Sequence, residues 1–171
     1  MTMKTLLATA LTVGLMAPAA FADTYPVLEK YRAVAEEALA LDQNFQTQQD
    51  VQALAFKTRD LVTYGQEILD LYAQKNPKCA EQLNQFKNEL PFLESQSLEE
   101  LHDRYHDGKG LPEAPRHCYF GRSEVIHPIM NLVRLKNGDF SQEVREEMTH
   151  EYEEVIEHLP RIQNFLDNPP N

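Results

Sequence analysis

The sequence predicts an all-α protein: an antiparallel bundle of four main helices with one or two short helices, cross-linked by one disulfide. Apolar residues recur at spacings of 3 and 4 along most of the chain, and no run alternates apolar and polar residues as a half-buried strand does. The chain also has only two cysteines, Cys79 and Cys118. Short links between helices with such stripes favour antiparallel neighbours.

The first two main helices have clear beginnings. The first is predicted over residues 25–41 and opens on a Tyr-Pro pair, because proline is tolerated in a first helical turn. Thr47 and Asp50 resemble a capping box before the second helix, whose wide apolar stripe covers residues 51–72. Gly65 lies within that stripe and predicts the close approach of a neighbouring helix.

Shorter helices are expected in the middle of the chain. An Asn-Pro pair at 76–77 restarts the helical pattern, and the stripe of residues 79–90 is expected to end at Pro91. Ser97 and Glu100 form a capping box for a short helix.

The last two main helices flank a Gly-containing turn and follow a long loop. Residues 107–121 contain three glycines and two prolines and are predicted to be non-helical. An apolar segment over residues 125–135 follows, and Pro128 inside it predicts a helix that begins near His127 or kinks there. The final helix is predicted over residues 141–166.

The chain begins with a segment that resembles a secretory leader. Residues 1–22 hold a basic Lys4, an apolar run too short to span a bilayer, and small residues at Ala20 and Ala22. We therefore expect a signal peptide over 1–22, a single helical-bundle domain over 23–171 with no transmembrane segment, and a periplasmic location, with secretion as the second choice.

The charge of the protein excludes one class of partner. The net charge is −11, and removal of the leader, which contains one lysine and no acidic residue, makes it one unit more negative. A surface of this charge argues against nucleic acid and against anionic membranes as partners.

Two cysteines in an oxidising compartment favour a disulfide. Closing a loop of about 40 residues between Cys79 and Cys118 would stabilise the fold by about 4 kcal/mol. The rival interpretation is a thiolate metal site that includes His117. Because no Cys-x-x-Cys-His motif is present, a covalently attached c-type haem is not expected.

Four of the six histidines lie between residues 101 and 127. His102 and His106 are one helical turn apart, so both rings can reach one ion. His117, His127 and Asp107 are nearby ligands that could complete a site for zinc or copper(II). The alternative is that the histidines only occupy polar helix flanks.

The 107–122 loop is a second candidate site, since loops of this length are usually functional or disordered. It is a locally basic and aromatic patch on an acidic protein, formed by Lys109, Arg116, Tyr119, Phe120 and Arg122. The alternative is that the two aromatic residues merely close the end of the bundle.

Two Glu-x-x-His pairs match the spacing of di-iron bundles: Glu124 with His127, and Glu147 with His150. Helical periodicity turns Glu147 and His150 toward water, and Pro128 disturbs the other pair. The acidic residues of the last helix are expected to form a solvated face; they are Glu143, Glu146, Glu147, Glu151, Glu153, Glu154 and Glu157.

No nucleophile–base pair can be assigned from the sequence, so we expect a binding protein rather than an enzyme. The first hypothesis is that it binds a protein or a small anionic ligand through the 107–122 loop. The alternative hypothesis is metal binding by the histidine cluster of residues 102–127.

Overall fold

A computed structural model describes residues 25–170, and over that range the chain is all-α, without a β-strand. The predicted leader, residues 1–22, lies outside the described residues. The main helices are α1 (Pro26–Asn44), α2 (Gln48–Lys75), α5 (Tyr119–Asn137) and α6 (Gln142–Asp167). Between α2 and α5 lie α3 (Ala80–Leu93) and α4 (Leu98–Glu100), and α4 continues into a π-helical turn, Leu101–His106. Short 3₁₀ turns, Pro77–Cys79 and Arg116–Cys118, precede α3 and α5.

The four main helices form a ring in the order α1, α2, α5, α6. Each contacts its two neighbours, and the most extensive interface joins α2 to α5. Gly65 of α2 meets Glu124 of α5 while Tyr72 of α2 meets Gly121, so these two helices run antiparallel. The predicted antiparallel four-helix arrangement is therefore present, and its core lies between the four helices.

Several local predictions are confirmed. The capping box of Thr47 and Asp50 precedes α2, and that of Ser97 and Glu100 precedes α4. Cys79 and Cys118 form the predicted disulfide, with Cα atoms 5.3 Å apart. In the part of the chain that the structure describes, no helix combines the length and apolar character needed to cross a bilayer.

The close approach predicted at Gly65 is also observed. A Cβ atom on Gly65 would lie 2.3 Å from the backbone oxygen of Glu124. That oxygen accepts no backbone hydrogen bond within α5, because Pro128, four residues later, has no N–H to donate. The hydroxyl of Tyr31 in α1 donates to it instead, at 2.8 Å.

Two predicted boundaries are wrong. The loop does not extend to residue 121, because α5 begins at Tyr119 and continues through Pro128. Gly121 is helical, and its lack of a side chain serves packing: a Cβ there would lie 2.8 Å from Leu83. Helix α3 likewise continues past Pro91, and the carbonyl that the proline leaves without a backbone donor belongs to the exposed residue Lys87.

Candidate metal centre

His127 is the most deeply buried histidine of the protein. It lies in α5, its side chain is fully buried, and its Nδ1–H donates to Oε2 of Glu151 in α6. The other oxygen of Glu151 accepts a hydrogen bond of 3.1 Å from Arg134. Burial favours the protonated form of Glu151, but the bonds from His127 and Arg134 outweigh it and hold its pKa below the ordinary value. The ring of His127 is thus held in one orientation by Glu151.

The Nε2 atom of His127 faces a small group of ligand atoms. Oε2 of Glu154 is 3.4 Å away, and the Tyr119 hydroxyl is 2.9 Å from Nε2 of both His127 and His106. One ligand atom each from His106, His127 and Glu154 lie within 4.8 Å of one another. Metal–ligand bonds of about 2.0–2.1 Å in a tetrahedral site imply ligand separations of about 3.3 Å, so the three atoms would have to move closer together around an ion.

The surroundings of His106 favour its neutral imidazole, and those of Tyr119 favour its neutral phenol. Burial lowers the pKa of His106, and its hydrogen bond to Asp107 only partly offsets this effect. Burial raises the pKa of Tyr119 well above its ordinary value, so its hydroxyl keeps its proton. Tyr119 is therefore a weak neutral ligand at most, and it occupies the space between the two imidazoles.

A second, outer group of ligands shares His106. The rings of His102 and His106 stack with centroids 4.9 Å apart, and Asp107 lies beside them. The π-helical turn brings these residues together, since the Asp107 N–H bonds the carbonyl of His102 five residues earlier. The side chain of His102 is 52% exposed, so this outer group is held less firmly than the inner one.

His117 belongs to neither group. It lies beside the disulfide, with its Nε2 atom 3.4 Å from Sγ of Cys79. Because both sulfur atoms form the disulfide, the thiolate metal site considered for Cys79, Cys118 and His117 is wrong. Of the residues proposed from the sequence, the structure thus brings His102, His106 and Asp107 together, and joins His106 with His127.

The residues predicted as a basic and aromatic loop are divided among three environments. Lys109 is in the loop and pairs with Asp103 and Asp107. Arg116 is exposed on the 3₁₀ turn, and Tyr119 and Phe120 start α5. Arg122 does not lie in the loop, because it is helical and only 5% exposed; its role as a ligand contact stays a prediction.

The acidic residues that complete the centre were missed. Glu151 is 7% exposed and Glu154 is half-buried, so the expectation of a solvated acidic face is wrong at these two positions. Glu147 and His150 do face water as predicted, since their side chains are 49% and 68% exposed. No local sequence pattern distinguishes Glu151 and Glu154 from the exposed glutamates of α6. They differ because they lie opposite His127 on the facing helix.

A second buried pair lies behind the centre, formed by Glu124 and His158. Oε1 of Glu124 is 3.5 Å from Nδ1 of His158, and both Glu124 Oε2 and His158 Nδ1 are buried without a hydrogen-bond partner. Burial raises the pKa of Glu124 well above its ordinary value and lowers that of His158 to about 4. Burial thus disfavours the charged form of both groups.

The arrangement as a whole provides two imidazole nitrogens and a carboxylate, with one imidazole oriented by a carboxylate behind it. Metal-binding histidines characteristically donate their second ring N–H to a carboxylate in this way. Three protein ligands leave a further coordination position for water or an external group. Comparison with known proteins adds no assignment, since no family model, no curated protein and no solved structure matches the chain.

Proposed function

We propose that the protein binds one transition-metal ion, zinc or copper(II), through His106, His127 and Glu154. The observation that carries this proposal is the convergence of their three ligand atoms within 4.8 Å. Imidazole and carboxylate ligands suit both metals. The buried chain from His127 through Glu151 to Arg134 supports the proposal, since it orients a ring nitrogen toward the other two ligands before any ion arrives.

We also propose that the protein acts in the periplasm and by binding rather than catalysis. The leader-like residues 1–22 support the location, and the Cys79–Cys118 disulfide is compatible with it.

A second candidate function is the binding of a ligand at the 107–122 segment. It is favoured by a cleft of about 1060 Å³ that this segment forms with the end of α6. Cavities of this size accommodate small molecules.

The first test is the metal content of the mature protein, purified without a His tag or chelator, followed by titration with zinc and copper(II). We expect one ion per chain. Glu154→Gln and His106→Gln remove ligands and should each weaken binding by about tenfold or more, while Glu151→Gln should weaken it by about 10- to 100-fold through misorientation of His127.

Two variants serve as controls. His117→Gln removes an imidazole beside the disulfide and should leave the affinity unchanged. His102→Gln removes only the outer group and should have a much smaller effect than His106→Gln. Affinity that is insensitive to Glu154→Gln, or a protein that takes up no added metal, would contradict the proposal.

A further inference from the structure

The cleft beside the metal centre has a positively charged wall although the protein is strongly acidic. Four cationic residues line it, against two acidic ones, Asp107 and Glu113. Asp107 is already engaged by His106 and Lys109, and Glu113 is exposed. The uncompensated charge therefore comes from three arginines, which are Arg116, Arg122 and Arg161.

Arg122 is the central feature of this wall. It is 5% exposed, and its guanidinium donates to the carbonyls of Tyr105 and His106 and to Oε1 of Gln82, at 2.7, 3.0 and 2.7 Å. All three acceptors are neutral, and within residues 25–170 no carboxylate lies within 4.0 Å of it. A buried charge without a carboxylate in direct contact is costly, and the guanidinium stays protonated in proteins. An anion in the cleft would supply the missing counter-charge.

Arg116 and Arg161 stand at the opening of the same cleft. Both are exposed, and neither forms a hydrogen bond or an ion pair with another described residue; Arg161 lies only over the ring of Phe120, 5.6 Å from its centroid. Their donors are thus free for a ligand. Guanidinium groups bind carboxylates through paired hydrogen bonds.

The lining of the cleft also favours a ligand with a carbon skeleton. Phe120, Phe165 and Leu111 contribute apolar surface between the cationic groups. His106 and Tyr119 line the cleft and also belong to the metal centre, so a ligand in the cleft lies next to the bound ion.

We propose that this cleft binds a small polycarboxylate, with one carboxylate held by the arginines and another placed at the open coordination position of the ion. The second part of this inference rests on the proposed metal site. The first part, anion binding over Arg122, does not.

The test uses tricarballylate, a tricarboxylate, titrated calorimetrically into the mature protein with and without Co²⁺. We expect binding to the metal-free protein, tighter binding with the metal, and a change in the visible absorption of bound Co²⁺ when the anion is added. The double variant Arg116→Gln/Arg161→Gln should weaken tricarballylate binding by about tenfold or more, since it removes two guanidinium donors that pair with carboxylates. Arg59→Gln, which removes one positive charge from an exposed position of α2 away from the cleft, should leave it unchanged.

The outcomes separate the two proposals. Tricarballylate binding without any uptake of Co²⁺, zinc or copper(II) would overturn the metal site and support the anion site. Co²⁺ uptake without tricarballylate binding would overturn the anion site alone. Equal affinity for inorganic phosphate, or a loss in Arg59→Gln as large as in the double variant, would overturn the assignment to polycarboxylates.

Discussion

The hydroxyl of Tyr31 replaces the backbone hydrogen bond that α5 lacks at Pro128. Tyr31→Phe would leave the buried carbonyl of Glu124 without a partner, which costs about 1–3 kcal/mol of unfolding free energy. Urea denaturation measures the loss. Tyr25→Phe removes a longer hydroxyl bond, 3.3 Å to the carbonyl of Leu166, in a half-buried position, and should cost less. Equal losses in the two variants would contradict the special role given to Tyr31.

The side chain of His158 makes the stability of the protein depend on pH. Burial lowers its pKa to about 4 in the folded protein, whereas an unfolded chain has the ordinary value of about 6.5. Between these two pKa values the unfolded state binds more protons than the folded state. The contribution of His158 to stability is therefore present above pH 6.5 and is lost as the pH falls toward 4. One such group gives a slope of at most about 1.4 kcal/mol per pH unit.

The measurement is the unfolding free energy between pH 7 and pH 4.5 in the protein and in His158→Gln. His106 and His117 have lowered pKa values too, and Glu124 has a raised one, so only the difference between the two curves reports on His158. We expect a shallower acid loss in the variant. Parallel curves would show that His158 titrates alike in both states.

At the scale of the helices, prediction from sequence succeeded where the deciding interactions are local. Capping boxes depend on residues three positions apart, and apolar stripes on spacings of 3 and 4, so α1, α2, α4 and α6 could be anticipated. The start of α5 could not, because glycines and prolines before residue 121 indicate a loop while packing against Leu83 favours a helical Gly121.

The metal centre was only half predictable for a related reason. His106 and His127 belong to the histidine-rich segment and stand out in the sequence. Glu151 and Glu154 have the same local surroundings as the exposed glutamates of α6. Their role depends on the way α6 faces α5, which is a property of the bundle and not of either helix.

The close packing of α2 against α5 can be tested by adding one methyl group at the interface. Gly65→Ala should destabilise the protein although alanine is about 1 kcal/mol better than glycine in a helix, because the added Cβ would collide with a backbone oxygen that cannot rotate away. Overpacking of this kind costs about 1–3 kcal/mol. Thermal unfolding is the measurement, and an unchanged or higher melting temperature would contradict the observed separation of the helices.

At the scale of the molecule, the disulfide joins the beginning of α3 to the beginning of α5 across 39 residues. The double variant Cys79→Ser/Cys118→Ser should lose about 4 kcal/mol of unfolding free energy, because its unfolded chain is no longer closed into a loop. Denaturation with and without a reducing agent checks this. The variant should be insensitive to the reductant, and the parent protein should lose a similar amount on reduction; a parent that is unaffected would contradict the role of the disulfide.

The carbonyl of Glu124 also has a consequence for how the chain selects one alignment of its helices. A bundle of apolar stripes tolerates sliding, since one helix moved by a full turn still presents apolar residues to its neighbours. Here a displaced α5 would carry the Glu124 carbonyl away from the Tyr31 hydroxyl and from the space beside Gly65, toward the buried Leu61 or Leu69 of α2. One proline on α5, one glycine on α2 and one tyrosine on α1 thus encode a single vertical alignment. The same alignment sets His127 level with Glu151 and Glu154.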